Sequence, residues 1–61
     1  MKVKYTGESK DTKTTKGEDT KIENAKVYEC MEKEYHSGLF VRILLESGAH
    51  VKVSRSELQK V

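Results

Sequence analysis

Proline and tryptophan are absent from this 61-residue chain, cysteine occurs once, and no apolar run exceeds three residues, as in Ile43, Leu44 and Leu45. Each absence excludes something. One cysteine cannot build an internal disulfide framework, so a chain this short stands without bridges, which suits a reducing compartment and leads us to expect a cytoplasmic protein. Three consecutive apolar residues fall far short of a membrane-spanning helix. The opening MKVKYTGESK alternates charge and apolarity with no apolar stretch, so no signal peptide is expected. Gly7, Gly17, Gly38 and Gly48 each stand alone, which leaves no glycine-rich loop to cradle a phosphate.

What is present bounds the answer further. With 34% hydrophobic and 36% charged residues, residues 1–61 allow one small domain with a modest core. The net charge of +2 is too small to imply nucleic acid by itself, but it is uneven: residues 1–26 hold seven Lys against five acids, and residues 27–61 balance five against five.

Met1, Val3 and Tyr5 alternate with Lys2, Lys4 and Thr6, the period of a strand with one buried face, closed by Gly7. From Glu8 to Lys21 no hydrophobic residue occurs, and that composition predicts a long, mobile polar loop over about 8–21. The clearest local signal is LFVRILL, ESG and AHVKVS. Three loop residues ending in Gly48 match a type I turn followed by a left-handed residue, and pair Leu45 with Ala49, Ile43 with Val51 and Val41 with Val53. The opposite face then carries Phe40, Arg42 and Leu44 against Ser54, Lys52 and His50.

Upstream, residues 25–36 admit two readings. As a helix, Asn24 would cap a stripe of Val27, Tyr28, Met31 and Tyr35 that ends at Gly38. As a strand, favoured because Val, Tyr and Cys in succession suit a sheet, the segment would join LFVRILL through the loop Glu34 to Ser37, with Tyr28 opposite Ile43, Cys30 opposite Val41 and Glu29 meeting Arg42. Ser54, Arg55, Ser56 and Glu57 have capping-box spacing, with Val53 and Leu58 as a hydrophobic staple, so one helical turn is expected before a short last strand that turns Val61 inward.

Four or five short antiparallel strands with one helical turn near the C-terminus describe a mainly β protein, a small SH3-like barrel. The stretch Ala25 to Leu58, with KVYEC, GLFVRI, ESG and a strand ending in SRSEL, resembles short uncharacterised bacterial and phage-borne proteins of SH3-like fold. Asn24 and Ala25 stand where those proteins usually have a glycine, and Val51 and Val53 where they have aromatics. The resemblance implies a fold and no activity.

Chemistry has few places to reside. Cys30, His36 and His50 are the only residues that could suggest a soft-metal site or a Cys/His pair, and their spacing suits neither, so no metal or cofactor is expected. Glu29, Glu32 and Glu34 read as a solvated acidic run, because general acid/base work needs a shielded cleft. We therefore expect no enzyme. The anomaly is the second face of the central strands, where Val27, Met31, Phe40 and Leu44 accompany Arg42. Such a face invites a cover, whether the curved ends of the sheet, a second copy or a protein partner. Phe40, Met31 and Arg42, with Tyr35 and His36 on the adjoining turn, are the candidate contacts of a protein-interaction module. The alternative is weak nucleic-acid binding through Lys10, Lys13, Lys16 and Lys21, with Arg42, Lys52 and Arg55 nearer the sheet, opposed by Glu8, Asp11, Glu18 and Asp19.

Overall fold

Alternation of Val3 and Tyr5 with Lys2 and Lys4 builds the first strand as expected. In the computed structural model, which describes residues 1–61, β1 spans Lys2–Tyr5 and buries Val3 and Tyr5 completely. Strands β2 (Lys10–Lys13), β3 (Asp19–Ile22) and β4 (Val27–Cys30) follow, then helix α1 (Glu32–Ser37), strands β5 (Phe40–Leu44) and β6 (His50–Ser54), a 3-10 turn (Arg55–Glu57) and β7 (Leu58–Lys60).

The expected SH3-like barrel does not form. Two separate open sheets stand in its place, one of five strands in the order β6-β5-β4-β1-β7 and one of two strands, β2-β3. Closure into a barrel requires the end strands to pair, whereas β6 and β7 lie at opposite edges and β7, only three residues long, pairs with β1 alone. With α1 present the fold is mixed rather than all-β, and the likeness of residues 25–58 to SH3-like bacterial and phage-borne proteins does not hold.

The β5–β6 hairpin has the anticipated register, with Val41 opposite Val53 and Ile43 opposite Val51. Gly48 adopts φ +89°, which a side chain would resist, and the Leu45 N–H donates to the Ala49 carbonyl at 2.8 Å. The segment at 25–36 divides between its two readings: Val27–Cys30 is strand and Glu32–Ser37 is helix. Because the chain leaves the sheet at Met31, the connection is longer than a four-residue turn and the register shifts. Cys30 faces Ile43 and Glu29 faces Leu44, so Glu29 does not meet Arg42. The helix forms where Glu32 and Glu34 favour its first turn and Gly38 closes it by donating to the Glu34 carbonyl at 3.0 Å.

The polar stretch at 8–21 is not a loop but the β2–β3 hairpin. Lys13 bonds Asp19 at 2.8 Å and Asp11 stands opposite Lys21, so opposite charges face one another across the pair. Its turn is organised by Thr14, whose buried hydroxyl accepts from the N–H groups of Lys16 and Glu18, both at 3.2 Å. Ile22, fully buried, inserts into the core, a burial worth about 1.5–3 kcal/mol. At the tip, the Thr15 N–H donates to the His50 carbonyl at 2.8 Å on β6. At the base, Asn24 Nδ2 donates to the Gly7 carbonyl at 2.8 Å. The hairpin thus lies across the apolar face of the large sheet, tethered at both sides, and closes a single core of ten buried residues.

The C-terminal segment departs from expectation in detail. Ser54 makes no side-chain cap bond, and the Glu57 carboxylate accepts instead from the Tyr5 phenol at 3.3 Å. Leu58 is the inward residue of β7, and Val61 is exposed.

Candidate functional site

Period-two alternation sends Val3, Tyr5, Tyr28, Cys30, Val41, Ile43, Val51 and Val53 to the covered face of the large sheet, and their sequence neighbours to the other. That outer face has no layer over it. On it Leu44 stands opposite Glu29, Glu29 opposite Lys2, and Val27 opposite Lys4. Exposure of the large apolar side chains there is high: Phe40 56%, Met31 63%, Val27 45% and Leu44 40%.

Of the shallow hollows on the face, two share the Arg42 and Glu34 side chains. Met31, Leu44, His50, Glu29 and an edge of Cys30 line one, and Phe40, Lys52, Gly38 and Thr15 are among those lining the other. Between them, Glu34 is clamped onto Arg42. Its Oε1 accepts from the Arg42 main-chain N–H at 3.1 Å and its Oε2 from Nε at 2.9 Å, with a further bond from a terminal guanidinium nitrogen. The Arg42 N–H is available because the β4 ladder ends at Cys30. These hydrogen bonds hold the Glu34 carboxyl below the usual carboxylate range and raise the guanidinium further above its own. Lys52 places its Nζ 5.5 Å from the centre of the Phe40 ring.

The expected contacts are partly assembled. Phe40, Met31 and Arg42 share the outer face, whereas Tyr35 is half-buried against the core and His36 sits exposed on α1, 3.7 Å from Glu32. Lys10, Lys13, Lys16 and Lys21 are exposed on the hairpin, with Lys13 engaged by Asp19. Arg55 is exposed on the 3-10 turn and donates to the Tyr35 carbonyl at 3.3 Å. Glu34, the partner of Arg42, and Lys2 and Lys4, members of the face, are not among the expected contacts. Strand alternation already sets Lys2 and Lys4 opposite Val3 and Tyr5, but only the helical turn reveals Glu34.

Cys30 and the histidines do not converge. Cys30 is buried, which pushes its thiol pKa up and disfavours the thiolate. No group of three or more His, Cys, Asp or Glu side chains is arranged to hold a metal ion, and no helix is long and apolar enough to cross a membrane. Compared with protein-family models, curated proteins and solved structures, the chain matches none.

Proposed function

We propose that this protein is a non-enzymatic interaction module that docks a protein partner on the outer face of its five-stranded sheet, in a reducing, cytoplasmic setting. One observation carries the reading: Val27, Met31, Phe40 and Leu44 are all substantially exposed on one uncovered sheet face. Lone exposed apolar residues are ordinary, but several on a single face favour a contact that removes them from water. The charges there select the partner. Arg42 is paired with Glu34 and Lys26 with Glu46, while Lys2, Lys4 and Lys52 make no ion pair and outnumber Glu29, the acid opposite Lys2, so an acidic, partly apolar segment complements the face.

Sedimentation of the wild-type chain and Phe40→Ala, alongside binding to a peptide that alternates Glu and Leu, tests the proposal. Peptide binding lost in Phe40→Ala with the circular dichroism spectrum unchanged supports it. Concentration-dependent self-association lost in the same variant would make the occupant a second copy. A monomer that binds no peptide removes the docking reading.

Nucleic-acid binding is the second reading, favoured by the exposed Phe40 ring with Lys52 beside it, a stacking surface flanked by a cation. Anisotropy titrations with single- and double-stranded oligonucleotides at two salt concentrations test it. Binding that does not weaken with salt, or no binding, excludes it.

A further inference from the structure

We propose that the Arg42 donors form a seat for a side-chain carboxylate of an acidic partner segment, and that Glu34 is a built-in occupant which the segment displaces. This inference rests on the docking face described above. Three N–H donors of one residue converge on a single carboxylate, the main-chain N–H and two guanidinium nitrogens. Such an arrangement recognises a carboxylate in a defined orientation, and the donors do not depend on which chain supplies it. The Arg42 side chain remains 55% exposed, so a second carboxylate reaches the guanidinium from solvent.

The present occupant is held by the Arg42 donors themselves, and the element that supplies it is slight. It comes from a helix of six residues with none buried and no side-chain bond at its N-cap. In the proposed displacement only the Glu34 side chain leaves the donors, while Tyr35 keeps α1 against the core. The surroundings suit an acidic residue flanked by apolar ones: Met31 and Leu44 lie on one side of Arg42, and Phe40 and Lys52 on the other. A phosphate would also suit the guanidinium, but two of the four hairpin lysines that would follow a nucleic-acid backbone, Lys21 and Lys13, face Asp11 and Asp19. A protein segment is the occupant the charges favour.

Competition by Glu34 makes a sharp prediction, because an internal ligand lowers apparent affinity by the fraction of time it occupies the seat. The probe is an acetylated, amidated octapeptide alternating Glu and Leu, with a Gln and Leu counterpart, titrated into the isotope-labelled full chain and followed by the Arg42 amide and Nε signals. Glu34→Ala and Glu34→Gln, checked for an unchanged fold, should bind the Glu peptide at least about threefold more tightly than wild type. Arg42→Gln should lose the preference for the Glu peptide over its Gln counterpart. If Phe40→Ala weakens binding while both Glu34 variants match wild type, the docking face stands and the displacement is overturned. Equal binding of the two peptides by wild type likewise overturns the carboxylate seat. Binding by no variant, or binding of oligo-deoxythymidine and neither peptide, removes the docking face together with the seat.

Discussion

Tyr5 and Glu57 meet across nearly the whole chain: the phenol at the end of β1 shares its one O–H between the Glu57 carboxylate at 3.3 Å and the Glu8 carbonyl at 3.0 Å. Gly7 makes room for this arrangement, since a Cβ there would lie 2.5 Å from both the Tyr5 hydroxyl and Glu57 Oε2. One contact therefore binds the first strand, the base of the hairpin and the 3-10 turn. Tyr5→Phe should cost about 1–2 kcal/mol in urea unfolding with unchanged m-value. Gly7→Ala should destabilise through the same contact, so the double variant should lose less than the sum of the two. Full additivity would show that the two residues act separately.

Ala25 adopts φ +66° in the turn before β4, the left-handed region that L side chains disfavour. Its N–H donates to the Tyr5 carbonyl at 2.7 Å, which fixes the conformation. Relief of that strain in Ala25→Gly outweighs the extra flexibility glycine brings to the unfolded chain, for a net gain of about 0.5–1 kcal/mol. Thermal unfolding should shift upward by a few degrees, at roughly 4–8 °C per kcal/mol for a domain of this size. A lower midpoint would refute the assignment.

Ile22 is the one large apolar side chain that the β2–β3 hairpin contributes to the core, and it is completely buried. Ile22→Ala should cost about 2–5 kcal/mol, much of the roughly 3–9 kcal/mol available to a chain of this length. The variant should be largely or wholly unfolded by circular dichroism at 37 °C. Native-like unfolding behaviour in that variant would mean the hairpin is not the cover of the core.

The Glu34 carboxyl titrates below its ordinary range because Arg42 hydrogen-bonds its charged form. A depressed folded pKa contributes stability that is present above the unfolded carboxylate value and is lost as pH falls through the folded value. Urea midpoints should therefore decline as pH drops below about 4, and Glu34→Gln should flatten part of that decline. An identical pH profile in the variant would show that the pair is not linked to folding.

The hairpin of β5 and β6 was legible because its apolar alternation and Gly48 agree on one register, and a slip of one residue would send Val41, Ile43, Val51 and Val53 to water. β1 was legible for the same reason. The β2–β3 hairpin was not, since its strands have no apolar alternation and their partner is the distant core face. Phe40, Met31 and Arg42 were placed on one face by strand period alone, but the partner of Arg42 was misassigned because the ladder of β4 stops where α1 begins.

Within β1, β4, β5 and β6 the amino-acid sequence alone determined which side chains share a sheet face, since the period of two is a property of the extended backbone and needs no tertiary information. Only the tertiary structure decided that the sheet stays open, that a polar hairpin covers one of its faces, and that Glu34 rather than Glu29 holds Arg42. Those outcomes depend on contacts between residues far apart in the chain, such as Thr15 with His50 and Tyr5 with Glu57, whose geometry no local pattern encodes.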